Sequence, residues 1–267
     1  NCGSALFMVT LVMMKFNLAQ ANNDTYLQSN LFAMLLNLCA CAQNLSSQVT
    51  QRFFTFLLAT VRDYRKICAK VQEELAKKEQ AGDATEQEDG RFAQLLQSAT
   101  MVEETMIVLL KGLVMMLRPR ALQDNISVLY NYLLHADGLK DLPKPLRIPQ
   151  PDAEEDAPGE PLVPPAGLSL LQAVYDAFHD ESQEPSVERL TEACMEINDL
   201  IYISRVQDKL ASVPERVARL LELDEASNEV NYVYEESEDA AAFFRPQTWR
   251  VVLQRWPGLW SRLASGY

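Results

Sequence analysis

The sequence is poor in the residues on which small-molecule chemistry most often depends. Nine glycines in 267 residues form no Gly-rich phosphate loop, no dinucleotide fingerprint and no G-x-S-x-G elbow. Each of those motifs needs glycine where the backbone turns sharply or approaches a ligand. Two histidines, His135 and His179, give poor support to a zinc site, which draws on His and Cys at short spacings. Basic residues number 24 against 37 acidic ones, for a formal net charge of -13. That balance lacks the basic stripe that displaces counterions from nucleic acid. It also opposes broad adhesion to anionic membranes. Long hydrophobic runs are missing too. The most apolar segment, Ala5 to Met14, is ended by Lys15, far short of the roughly 20 residues that span a bilayer. It lacks the basic start and small-residue cleavage site of a signal peptide, and reads as a buried helix.

What is present is a large apolar fraction, 48%, with 23% charged residues, the composition of a globular chain able to bury a sizeable core. The chain opens on Asn1 rather than Met, which points to a piece of a longer protein or a processed start. Cys2, Cys39, Cys41, Cys68 and Cys194 are odd in number and scattered among apolar neighbours. They fit free core thiols in a reducing compartment rather than a disulfide framework. The C-A-C pair, Cys39 and Cys41, points to different sides of a helix. Sequons at Asn23, Asn44 and Asn125 are near chance frequency and carry no functional weight beside that cysteine pattern.

Helical periodicity runs through most of the chain. Asn22, Asn23 and Asp24 interrupt the first apolar segment and supply caps or turns. A second helix is expected from about Tyr26 to Ala42, and a third from about Gln48. Leu57, Val61, Tyr64, Cys68, Val71 and Leu75 in the third repeat at 4, 3, 4, 3, 4, which holds one face against a partner. The short Asn44-Leu-Ser-Ser connection predicts that these two helices lie antiparallel. The run KVQEELAKKEQ should project into solvent. Ala81 to Gly90 reads as a loop, and a long helix follows from Phe92 to Leu117, with Gly112 inside it for close packing and Pro119 after it. A further helix should stop at Gly138 as a C-terminal cap.

Eight of the thirteen prolines lie between Pro143 and Pro165, around the acidic PDAEEDAPGE, where proline excludes helix and charge opposes burial. Helices resume from Leu168 to about His179 and again after Ser186, an N-cap candidate. Pro214 suits the first turn of another. The expected organisation is helical repeats over 1–142, a Pro-rich acidic linker or loop over 143–167, and a helical C-terminal part over 168–267. Successive amphipathic helices with short connections are how an α-solenoid reads when its repeats have diverged.

Candidates for chemistry are few. His135-Ala-Asp137 and His179-Asp-Glu181 lie near predicted helix ends, where the dipole favours a histidine. The carboxylate pairs Glu73-Glu74 and Glu103-Glu104 read as solvated helix faces. No residue is singled out as catalytic, cofactor-binding or metal-ligating, and no cofactor is expected. Met101, Met106, Met115 and Met116, followed by Arg118 and Arg120, suit core packing. Their other use would be a peripheral membrane-binding helix. Near the C-terminus, Pro246 sits at a helix start, and Trp249, Val252, Leu253 and Trp256 form its stripe. Tyr232, Tyr234, Phe243, Phe244, Pro246 and Trp249 are candidates for an irregular aromatic cap over the last helices, or for a partner-binding feature.

Two blocks carry a family resemblance. In Thr25 to Leu57, Tyr26-Leu27 leads to Leu36-Asn37-Leu38, then a polar turn and Gln51-Arg52. Later come Val233-Tyr234-Glu235-Glu236, then Phe243-Phe244-Arg245-Pro246 and Trp249. Val128 to Leu142 is a weaker third. In order and approximate spacing these resemble the C-terminal region of the dymeclin family. The resemblance implies an all-α, armadillo- or HEAT-like solenoid that is not an enzyme. It implies a scaffold or adaptor in Golgi organisation and vesicle traffic, cytoplasmic and peripheral to the membrane at most. Its partners would be proteins of the trafficking machinery. The family's N-terminal lipidation signal has no counterpart in Asn1-Cys2-Gly3.

Overall fold

A computed structural model describes residues 2–19, 24–81, 86–140, 142, 165–179, 185–207 and 215–227. Every regular element among them is helical. They are α1 Cys2–Leu18, α2 Thr25–Ala40, α3 Ser47–Ala81 and α4 Glu86–Met116, a 3₁₀ turn over Gln123–Asn125, then α5 Ile126–Lys140, α6 Pro165–Phe178, α7 Val187–Gln207 and α8 Glu215–Ser227. The chain divides into two units, Asn1–Tyr232 and Val233–Tyr267, and the second lies wholly outside the described residues.

Local chemistry explains several helix starts. Asp24 caps α2, its carboxylate accepting from the Leu27 N–H at 2.9 Å, and the Ser186 hydroxyl accepts from the Arg189 N–H at 3.3 Å at the head of α7. Pro165 opens α6, where its missing N–H would have had no helical partner. Pro165, Ala166 and Gly167 therefore belong to a helix and not to the Pro-rich segment. The loop expected over 81–90 is also shorter, since Glu86 to Gly90 are already helical.

Two rows of helices pack against each other. Within pairs, α1–α2, α3–α4, α5–α6 and α7–α8 are neighbours. So is each helix with the one two places on: α1–α3, α2–α4, α3–α5, α4–α6, α5–α7 and α6–α8. Odd-numbered helices thus make one row and even-numbered ones the other. The α2 and α3 helices, joined by the short Asn44 connection, are not each other's main neighbours. Their short connection crosses from one pair to the next, and the main neighbours of α2 are α1 and α4. Helices on both sides of the Pro-rich segment feed one buried apolar cluster, from Phe7 through Leu113 to Leu220.

Glycine sets two close approaches. A Cβ on Gly112 of α4 would lie 2.8 Å from the Cys39 sulfur of α2, as expected of a packing glycine. A Cβ on Gly138 would lie 2.9 Å from Leu58 Cδ2 of α3. Gly138 is therefore no cap: α5 runs on to Lys140 because this glycine is a contact with the neighbouring helix. Where α2 and α4 end, the Asn125 amide donates to the carbonyls of Ala42 at 2.9 Å and Met116 at 3.3 Å. The Asn44 N–H reaches the Asp124 carbonyl at 2.7 Å, with Asn44 at a φ of 53°, a left-handed turn that Asn tolerates.

Candidate interaction surfaces

All six aromatic and proline candidates, Tyr232, Tyr234, Phe243, Phe244, Pro246 and Trp249, lie outside the described residues. The two histidines are not brought together. His135 sits in the interior of α5, half-buried against the Phe54 ring with centroids 5.9 Å apart, because α5 extends past the expected end. His179 follows α6, exposed, and stacks on Tyr175 at 4.3 Å. Among the described residues no three His, Cys, Asp or Glu side chains are grouped to hold a metal. Glu73 and Glu74 both pair with Lys77, at 2.8 and 2.9 Å, on the exposed end of α3.

The thiols separate as the helix turn requires. Cys39 is buried and Cys41 exposed. Burial pushes the Cys39 thiol well above its usual range and that of Cys194 up to about 11. Neither is a nucleophile at neutral pH, since reactivity belongs to the thiolate. Met101, Met106, Met115 and Met116 are at most 8% exposed, so the methionine-rich helix spends these side chains on the core and offers none of them to a membrane.

A buried polar chain joins three helices. The Asn17 amide of α1 donates to Gln28 Oε1 at 2.9 Å, and Gln28 Nε2 donates to Thr105 Oγ1 of α4 at 3.1 Å. The same Asn17 amide reaches the Asp24 carbonyl at 2.9 Å. Fully paired polar groups cost little in a core and hold their helices in one register. The sequence reading missed this chain, whose only signal is an Asn and a Gln on otherwise apolar faces.

Two pockets are small. One of about 260 Å³ lies where α2 and α4 end, beside Gln43, Arg118, Arg120 and Asp124. A second of about 290 Å³ is lined mainly by leucines of α4, α5 and α6 with Tyr132 and Tyr175. The Tyr132 hydroxyl at its edge is already spent on the Leu171 carbonyl, at 2.8 Å. Cys41 also lines the first of them.

Helix faces are more informative than pockets. The expectation of a buried first helix holds for one side of α1, where Phe7, Leu11 and Met14 are at most 4% exposed. On the other side Leu6, Val9, Val12 and Phe16 are 45–55% exposed. That side faces away from α2 and α3. No helix among the described residues is long and apolar enough to cross a membrane.

A family model described as "Dymeclin: Dyggve-Melchior-Clausen syndrome protein" matches residues 2–251 of the chain. No curated protein and no solved structure matches it.

Proposed function

The chain belongs to the dymeclin family, and we propose that it acts as a non-enzymatic scaffold or adaptor in Golgi organisation and vesicular traffic, built as an armadillo- or HEAT-like solenoid. One observation carries this reading. From α1 to α6, each helix packs on the one two places on. Stacked helix pairs of this kind bury a continuous core and leave long outer faces, which solenoids use to hold other proteins. The partners would belong to the trafficking machinery on the cytosolic side of the Golgi, with the membrane contacted only peripherally. The Pro-rich segment would then be a loop emerging from the array, and Tyr232, Tyr234, Phe243, Phe244, Pro246 and Trp249 would seal its last helices.

The test is cellular. Loss of the protein should disturb Golgi morphology and slow secretion, and proximity labelling with this chain as bait should mark trafficking proteins. Undisturbed Golgi structure and secretion would remove the reading. A membrane-binding module remains the competitor only through the apolar outer side of α1. Flotation with neutral liposomes separates the two, since the adaptor should stay unbound.

A further inference from the structure

Asn125 is a clasp in the fold and a glycan acceptor in the sequence. Asn125-Ile126-Ser127 is an Asn-x-Ser sequon. In the folded chain Asn125 is 1% exposed. Its side-chain amide has two hydrogens, and both are in use. One goes to the Ala42 carbonyl at 2.9 Å and the other to the Met116 carbonyl at 3.3 Å. Ser127, which completes the sequon, is half-buried in the first turn of α5.

Glycan transfer and this clasp make opposite demands on one nitrogen. In transfer the Asn amide nitrogen attacks C1 of a lipid-linked oligosaccharide. An N–C1 bond forms, the C1–O bond to the lipid pyrophosphate breaks, and the amide gives up one proton. The substituted nitrogen keeps a single hydrogen, so one of the two carbonyls loses its donor. A bulky, hydrated sugar would also have to lie where Asn125 meets the ends of α2 and α4. Transfer acts on the extended chain before helices pack, so burial in the finished fold gives the site no protection.

Asn44-Leu45-Ser46 supplies the internal contrast. Asn44 is exposed, and its tie to the Asp124 carbonyl is made by the backbone N–H. A sugar on its side chain would leave that bond in place. We infer that glycosylation of Asn125 and folding of this chain exclude each other. The Asn125 sequon thereby confines folding to compartments without oligosaccharyl transfer, of which the cytosolic side of secretory membranes is one. This constraint on topology holds whether or not the chain is an adaptor, so the two readings can fail separately.

The test translates the full chain behind a cleavable signal sequence into endoplasmic-reticulum microsomes, with its five cysteines kept reduced. Asn23→Gln with Asn44→Asp leaves Asn125 as the one acceptor. Asn23→Gln with Ser127→Ala leaves Asn44 instead, and keeps the Asn125 amide and the Ser127 carbonyl that accepts from Asn131. Each chain is made with and without a competing acceptor tripeptide, its glycan is located by mass spectrometry, and it is then exposed to limiting protease. The Asn125 glycoform should be cut about ten-fold faster or more than the same chain without sugar. The Asn44 glycoform should resist as well as its own bare chain. Four results would each overturn the inference: Asn125 left unmodified in the lumen, an Asn125 glycoform as resistant as the bare chain, an Asn44 glycoform cut equally fast, or bare chains that fail to fold there.

Discussion

The α1–α5 part and the α6–α8 part use the same element in the same two rows, yet they are held by different means. Among the described residues, the buried polar side chains all fall between Thr10 and Asn131, and the two close glycine contacts, at Gly112 and Gly138, also precede the Pro-rich segment. Past the Pro-rich segment the joints rest mainly on Leu170, Val174, Leu190, Ile197, Val217 and Leu220, all buried and apolar, with the Tyr132 hydroxyl tying α6 back to α5 at Leu171. Hydrogen bonds are directional and glycine contacts admit one spacing, so the first part has its register specified. Apolar stripes alone tolerate small slides. The comparison teaches where this protein is keyed and where it can adapt.

The largest effects should come from cavities in either part. Phe53→Ala should cost about 3–5 kcal/mol, and Leu220→Ala about 2–4 kcal/mol, in urea unfolding. A separate early transition for Leu220→Ala would sharpen the contrast, whereas a single shared transition would mean that the two parts unfold as one. Next in size is Gln28→Leu, at about 2–3 kcal/mol, since it takes one of two acceptors from the buried Asn17 amide and removes a donor from Thr105. Replacing Asn17 by Leu as well should add to that loss, because the Asp24 carbonyl and N–H then lose their partner.

Cys194 gives the second part a pH signature. Burial raises its folded-state value from 9.0 to about 11, so the folded state holds its proton longer than the unfolded one. Stability from this group is intact below about pH 8.5 and falls as pH climbs toward the folded value, by about 2–3 kcal/mol in all. Cys194→Ala should remove that part of the decline, as read by melts between those pH values. The smallest pair concerns the glycines. Gly112→Ala should cost about 1–2 kcal/mol, and Cys39→Ala in the same chain should recover much of it. Gly138→Ala should be within about 0.5 kcal/mol of neutral, because the Leu58 tip it meets can rotate and the helix gains from alanine.

Periodicity made the helices legible, and the stripe from Leu57 to Val71 does face the core. Capping was legible at Asp24 and Ser186, as was the packing role of Gly112. Gly138 was misread because a glycine near a helix end looks the same whether it caps the helix or meets a neighbour. Only the position of Leu58, 80 residues earlier in the chain, separates the two. The half-exposed face of α1 was illegible for a related reason: an evenly apolar helix does not reveal how many neighbours it has. The polar chain from Asn17 to Thr105 spans three helices, and no local window contains it. The aromatic block near Phe243 remains a reading from sequence, and its test is direct. Phe243→Ala with Phe244→Ala should lower the melting temperature if the block seals the array, and should instead cost a partner if it does not.

Asn125 has a mechanical consequence. Its amide grips the ends of α2 and α4 at once and sits one residue ahead of α5. A pull on either end therefore reaches α5 without slack, because the side chain cannot follow one carbonyl and keep the other. A shift at the end of α2 or of α4 would therefore be felt at the first turn of α5.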